Sequence, residues 1–507
     1  MRKNNLFITS SCLLGALASC YGAFGKNPRP NVILILADDM GIGDIRGLNP
    51  DSQIETPRLD EMCNRGIAFT DAHASSALST PSRYSILTGR YNWRSTKKGG
   101  VLGVMSPPMI ATGRNTIADM FRACGYTTAA IGKWHLGWDW TYKEGKAKTV
   151  DNIDFTKRVA NGPTDRGFDY FYGLTSPSGP PHLYMVNDMA EKQPNTRFED
   201  SGGGLYRIKG GIGHSDWSAG GMQPHLADKM LDYLDDNKNS DKPFFLYMAL
   251  TAPHIPLFPS KEFKGKSRIG DYGDLVMMID DIVGRVNRKL KEIGKYDDTI
   301  VMCAGYINMD KINRKGHYPS YIYRGYKSHG WEGGHRIPFI LSWGDRYGHV
   351  IDNSLVSLTD LYATFADMLG YRTADDEAED SFSFWPILDG SGSSARTDLI
   401  ATSGAGYFTY RTPQYKLIFN AGNGSGDEYR IDGQPPLQFY DMVSDPEEKV
   451  NRIDDPEYAG RIREMAARVK KYIEDGRSTP GAKAANDDGN SWKQITDIMS
   501  GLYAGNR

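Results

Sequence analysis

The 507-residue sequence has little cysteine, almost no net charge and no apolar stretch long enough to cross a bilayer. Of its five cysteines, Cys12 and Cys20 fall in the N-terminal leader, leaving Cys63, Cys124 and Cys303 in the body. Three widely spaced thiols make neither a disulfide framework nor a metal cluster, so they are expected to be small buried apolar side chains. The 62 acidic and 60 basic side chains leave a formal charge of −2. That balance lacks the basic face needed to bind nucleic acid, and any anion must be recognised by a few placed cations. The apolar run Leu6–Ala18 is shorter than the roughly 20 residues a spanning helix requires. With 39% hydrophobic and 24% charged residues, the remainder has the composition of an ordinary globular protein.

Arg2 and Lys3 precede that run and small residues follow it, the order of a secretory signal peptide. Leu17-Ala18-Ser19-Cys20 resembles a bacterial lipobox, which implies cleavage after residue 19 and a lipid on Cys20. The alternative is ordinary cleavage near Ala23. The expectation is therefore an exported bacterial protein, periplasmic or an outer-membrane lipoprotein, with a leader over residues 1–19 and a tether over 20–30 that includes Asn27-Pro28-Arg29-Pro30.

The mature region opens with the aliphatic run Asn31–Ala37, suited to a strand buried on both faces. Similar runs recur at Thr127–Ile131, Phe244–Leu250, Thr299–Cys303 and Ile337–Trp343. Between them, Leu275, Met278, Ile279, Ile282, Val286, Leu290 and Ile293 form a helical stripe, and Ser357–Leu369 gives a second helix ended by Gly370. Alternating strands and helices predict an α/β domain, a large mostly parallel sheet sandwiched by helices, over residues 31–372. Beyond it, Leu399–Thr402, Tyr407–Arg411, Tyr415–Phe419 and Leu437–Tyr440 predict a smaller antiparallel sheet, followed by a helix over Tyr458–Asp475, in a C-terminal domain spanning 373–507. The Gly-rich stretch Gly202–Gly221 is expected to be a long surface loop.

Residues 79–90 read STPSRYSILTGR. Thr80 suits an N-cap and Pro81 a first helical position, which sets Ser79 at the positive end of a helix, where backbone N–H groups favour an anion. Arg83 lies one turn further and adds a cationic fork. A capped helix start with an arginine is by itself a common structural feature, and a serine there needs a neighbouring base to act as a nucleophile.

The full string resembles the signature of the formylglycine-dependent sulfatase family, with Ser79 at the position that is oxidised to formylglycine. Asp38-Asp39 follows the first strand, as the family's metal-binding pair does, and two adjacent carboxylates suit a hard cation such as calcium. GYTTAAIGKWHLG, residues 125–137, is similar to the second signature; the resemblance implies that Lys133 binds sulfate oxygens and that His135 takes a proton as sulfate leaves. His254 in LTAPHIPLFP resembles the histidine that protonates the leaving alcohol, and Lys327 in YRGYKSHGWEGGHRIPFILSW the second sulfate-binding lysine. With Arg83 these cations would stabilise developing negative charge. His182, His329, Trp331 and His335 are candidates for contacts to a sugar, although His335 adjoins a buried strand and Trp331 can cap the core.

The pattern departs after the strand Thr299–Cys303, where the family places Asp-Asn or Asp-His. Here Tyr306 and Ile307 occupy those positions. Three readings follow: Asn308 or Asp310 act as surrogate ligands; the protein binds sulfated sugar without hydrolysing it; or the metal is held weakly and turnover is slow. The resemblance thus implies a hydrolase of sulfate monoesters, on a sulfated carbohydrate, that depends on a maturase to convert Ser79. A phosphoester or phosphonate hydrolase on the same fold and a non-catalytic glycan binder are the alternatives.

Overall fold

The computed structural model describes residues 28–306, 309, 316–426 and 431–501. The leader with Cys20, together with Ile307, Asn308 and Asp310, lies outside the described residues.

All eight residues of the strand Asn31–Asp38 are buried. Alternate side chains serve two cores: Val32, Leu34 and Leu36 on one face of the sheet, Ile33, Ile35 and Ala37 on the other. This period of two explains why a wholly aliphatic run becomes a strand and not a helix, because both faces are covered. Helices Pro57–Arg65, Ala219–Asp236 and Asp271–Glu292 cover the second face. Helices Ser79–Thr88, Ile117–Ala123 and Leu361–Leu369 cover the first.

The sheet has ten strands in the order Val350–Asp352, Ile67–Phe69, Phe339–Trp343, Thr299–Ala304, Asn31–Asp38, Phe244–Pro253, Thr127–Lys133, Tyr170–Leu174, Met185–Val186 and Met189–Ala190. The strands from Thr299–Ala304 to Tyr170–Leu174 run parallel. Phe339–Trp343 is antiparallel to both of its neighbours, and Met185–Val186 and Met189–Ala190 add antiparallel pairs at the other edge. With Val350–Asp352 also parallel to Ile67–Phe69, five of the nine pairings are parallel, so the sheet is the expected mostly parallel one with antiparallel pairings toward its edges. The reason is local: a parallel return needs a crossover to the far end of the sheet. Phe339–Trp343 instead runs back antiparallel beside Thr299–Ala304, and Lys327 precedes it at the end where Thr299–Ala304 finishes, held there by Asp39.

Two expectations change. Within Gly202–Gly221, the strand Gly211–Gly213 pairs with Thr196–Phe198, and the helix Ala219–Asp236 has already begun, capped by the Ser218 side chain on the Gly221 N–H. Of the three body cysteines, Cys63 and Cys303 are buried but Cys124 is only half-buried.

The C-terminal sheet, Leu399–Thr402, Phe408–Arg411, Tyr415–Ile418 and Gln438–Asp441, is antiparallel throughout. It packs with the helix Ala459–Asp475 on a third core that also takes in Tyr91 and Trp93. A buried ion pair closes this junction. Asp380 accepts from Arg94 Nε and Nη2 at 2.7 and 2.8 Å, from the Tyr91 N–H at 2.8 Å and from the Ser478 hydroxyl at 2.8 Å. Neither charged side chain is exposed. Removing one partner of such a pair strands the other charge, so Asp380→Ala is predicted to destabilise the protein by about 3–5 kcal/mol in urea unfolding. Glu447→Ala, which breaks an exposed pair with Lys449, should cost no more than about 1 kcal/mol.

Candidate active site

The carboxyl ends of the central parallel strands converge on one place, the usual position of a ligand site in such sheets. Asp38 ends its strand, Lys133 ends the next but one, and His254 directly follows the strand between them. Tyr306 lies just past the strand on the other side. Close packing sets the path here: a Cβ on Gly132, which has φ +119, would sit 1.9 Å from the Ala249 carbonyl oxygen. Beside these side chains the backbone is strained. Asp39, His135 and Ser328 have φ of 70°, 56° and 76°, unfavourable for residues other than glycine and typical of over-determined sites.

The helix Ser79–Thr88 is buried along its whole length and begins at Ser79 itself, with Leu78 as the extended residue before it. Thr80 is thus inside the helix and does not cap it. Its hydroxyl accepts from the Leu102 N–H at 3.1 Å and donates to the His135 carbonyl at 3.2 Å. Ser79 remains at the positive end, with His135 Nδ1 3.1 Å from its Oγ. His135 Nε2 lies 3.0 Å from the Leu102 carbonyl, which can only accept. Nε2 therefore carries the proton and bare Nδ1 faces the serine. Burial and the neighbouring Lys133 and Arg83 hold the imidazole well below its ordinary pKa, in the neutral form of a base.

Behind Ser79 lies a buried charge cluster. Lys133 Nζ donates to Asp38, while Lys327 Nζ donates to both oxygens of Asp39 at 3.0 and 2.8 Å. Arg83 donates to the Lys133 carbonyl at 2.7 Å, to Tyr247 Oη at 3.3 Å and to Tyr306 Oη at 2.9 Å, with Asp38 3.5 Å away. Burial opposes the charge on Asp38, but Lys133, His254, Arg83 and Lys327 together pull its carboxyl far below the usual range. Burial lowers Lys133 to about 8 against the attraction of Asp38, and lowers His254 to about 4, helped by Lys327. The His254 Nδ1–H donates to the Ile255 carbonyl at 2.6 Å, leaving Nε2 3.7 Å from Asp39. Burial pushes the Tyr306 phenol well above its ordinary range, against Arg83 and with Asp38 and Asp39, so it is neutral.

The carboxylates fit a hard cation. Ligand atoms of Asp38, Asp39 and His254 lie within 4.8 Å of one another, and Asp38 Oδ1 is buried without a hydrogen-bond partner among the described residues. An orphaned carboxylate oxygen is costly unless a cation or water meets it. A second buried group, His73, Glu332 and His335, has a comparable donor geometry but a different character. There Glu332, Asp71 and Glu448 already meet Arg336, Arg411 and Lys416, and the two histidines pair through Nδ1 at 2.9 Å. Its charges balance, and it ties the segment after Lys327 to the C-terminal sheet.

A cavity of about 740 Å³ opens onto the cluster, lined by Ser79, His135, His254 and Lys327. Lys133, Arg83, Asp38 and Asp39 lie behind that lining, so Arg83 braces Lys133 and Asp38 from within and does not face the cavity. None of the four sugar-contact candidates lines it. His182 is buried against Trp217, His329 packs between Tyr326 and Trp331, Trp331 donates to Gln438, and His335 belongs to the second group. Sequence reasoning missed Tyr247, whose hydroxyl in the apolar run FFLYMAL was a signal, and the Leu102 backbone, which left none. It also missed the wall from Val101 to Met105 and Lys209, which line the cavity.

Comparison with known proteins agrees with this geometry. The family model described as Sulfatase matches residues 30–371. The N-acetylgalactosamine-6-O-sulfatase of Bacteroides thetaiotaomicron is 30% identical over 493 residues, covering 88% of this chain and 94% of that protein. Human arylsulfatase A is 29% identical over 451 residues, covering 84% of this chain and 83% of its own. A solved structure reported with the metabolism of multiple glycosaminoglycans by Bacteroides thetaiotaomicron matches with a TM-score of 0.76 at 27% identity, over 87% of this chain and 99% of that one. With the helix start at Ser79, the paired aspartates and the converging lysines and histidines in one place, the chain belongs to the sulfatase family.

Proposed function

We propose that the protein hydrolyses sulfate monoesters on a carbohydrate, using a formylglycine made from Ser79 and one divalent cation, calcium. The observation that carries this reading is the meeting of Ser79, His135, His254 and Lys327 around one cavity, with Lys133 and the carboxylates directly behind. The hydrated aldehyde would supply one hydroxyl to attack sulfur and another to expel sulfate. The cation would be held by Asp38, Asp39 and the oxygens at position 79, and would add positive charge beside the sulfate. N-acetylgalactosamine 6-sulfate, the sugar in the name of one relative, is the first substrate to try.

The chain's own residues account for the remaining steps. Neutral His135, with its bare Nδ1 toward position 79, accepts a proton there. Lys133 and Lys327 reach the sulfate oxygens by exchanging their carboxylate partners for the incoming anion. His254, neutral in the free protein, gains a proton as the sulfate's negative charge arrives and delivers it from Nε2 to the leaving alcohol. Arg83 acts as a positioning residue through the Lys133 carbonyl. The neutral Tyr306 phenol beside Asp38 favours a second reading, a protein that binds sulfated glycan and does not turn it over. Asn308 and Asp310 are proposed as surrogate ligands. Among the described residues no helix is long and apolar enough to cross a membrane. Export, a lipid on Cys20 and reliance on a maturase complete the proposal, with the catalytic domain ending near residue 372.

The mass of the peptide containing Ser79, sulfate release, bound calcium and sulfate affinity test this. Coexpressed with a serine-type maturase, the peptide containing Ser79 should show the mass of the aldehyde, and the protein should release sulfate from N-acetylgalactosamine 6-sulfate. Ser79→Ala should lower that rate by more than about a thousandfold, and chelation should remove both bound calcium and activity. Converted, calcium-loaded protein without sulfate release from any sulfated sugar would leave the binding reading. Inorganic sulfate affinity should fall as pH rises from 6, because His254 takes up a proton on binding, and fall more steeply above about 8, where Lys133 loses its own. The steepening follows because Lys133 binds the anion only when protonated and its pKa in the free protein is about 8. Lys133→Met should weaken binding and remove the inflection.

A further inference from the structure

The cavity is larger than a sulfate group needs, and its lining is chemically one-sided. At about 740 Å³ it falls within the roughly 300–1,000 Å³ range of small-ligand clefts. Two lysines and two histidines line it, together with serines and an apolar wall from Val101 to Met105, and no carboxylate does. The two lysines differ. Lys327 is held by Asp39, whereas Lys209 Nζ has no hydrogen-bond or ion-pair partner among the described residues.

Lys209 is nevertheless firmly placed. It lies between the paired strands Thr196–Phe198 and Gly211–Gly213, next to the bridge of Ser201 with Ile208. The following N–H, of Gly210, donates to Asp200 Oδ1 at 2.8 Å. The Lys209 carbonyl accepts from His182 Nε2 at 2.7 Å. His182 is 2% exposed, and its ring is fixed against Trp217 at 4.3 Å and Phe198 at 5.2 Å between centroids. The aliphatic stem crosses Gly179, where an added Cβ would lie 3.9 Å from both Lys209 Cδ and Val104 Cγ2. A backbone fixed on both sides and a stem laid along the wall leave the ammonium group as the mobile, uncompensated part.

A sugar with a single sulfate ester would bring its one anion to Ser79 and Lys327 and leave Lys209 idle. We propose that Lys209 is a specificity residue that binds a second anionic group of the glycan, seated in the same cavity as the sulfate ester being cleaved. The inference rests on the sulfate-ester reading above and narrows it to polyanionic glycans. The second group is a carboxylate on the neighbouring sugar or a second sulfate, and both present oxygens to one ammonium group in the same way. His182, proposed from sequence as a sugar contact, acts through the Lys209 carbonyl as a positioning residue.

The test is calorimetric binding to the full chain carrying Ser79→Ala, so that turnover plays no part. Three probes are compared: N-acetylgalactosamine 6-sulfate, the same sugar with a second sulfate, and its disaccharide with glucuronate. Either or both dianionic probes should bind five- to thirtyfold more tightly than the monosulfated sugar, and the one that does identifies the second anion. Lys209→Ala should bring that probe down to the monosulfated level without changing the latter, and Lys209→Arg should retain the preference. Lys209 is exposed, so neither change threatens folding. A dianion preference that survives Lys209→Ala, or the absence of any preference, overturns the inference and leaves the sulfate-ester reading standing. Failure of all three probes to bind overturns the inference, and overturns the sulfate-ester reading as well only if no other sulfated sugar is bound or desulfated.

Discussion

The structure depends on an imbalance of buried charge at the carboxyl ends of the central strands. Asp38 and Asp39 face Lys133, Arg83 and Lys327, while His135 and His254 are held neutral at pH 7. One positive charge is left over in a place largely shielded from water, where electrostatic interactions are weakly screened. An incoming sulfate is attracted, and a cation entering alone is not. A metal and an anion would therefore favour each other's binding, because each would relieve the repulsion the other meets.

Holding such a cluster together is costly, and much of the fold is arranged to do it. The sheet supplies rigid strand ends, and the positive φ values at Asp39, His135 and Ser328 show where the backbone is forced into place. The C-terminal sheet contributes directly. Its first strand pairs with the segment leading to Ser79, through Thr402 with Ser75 and Ala77, and the Gly404 N–H donates to the Ser328 carbonyl at 2.7 Å, beside Lys327. The balanced cluster around Glu332 joins the same two regions from below.

Much of this was legible in the sequence, and the failures have physical causes. Buried strands announce themselves as short aliphatic runs because both faces need apolar side chains, so Asn31–Asp38 and its neighbours could be placed. Such a run carries no direction, which is why the antiparallel setting of Phe339–Trp343 was not visible. The helix at Ser79 was legible, but its start was misplaced because Thr80 has the chemistry of a cap and is used instead to hold His135. Arg83 shows the limit most clearly: its position on the helix was readable, whereas its partners come from Lys133, Tyr247 and Tyr306 on three other segments. His182, His329, Trp331 and His335 suit sugar contacts by residue type, but long-range packing gives each another task. Lys209 sits in a glycine-rich stretch with no periodic pattern, so only the folded chain reveals that it reaches the cavity.

The most direct test of this account is a crystal structure of the protein grown with inorganic sulfate. The charge imbalance predicts a tetrahedral anion beside residue 79, with Lys133 and Lys327 turned from Asp38 and Asp39 onto its oxygens and His254 Nε2 within hydrogen-bonding distance. Sulfate absent from that position, with both lysines still on their aspartates, would contradict it.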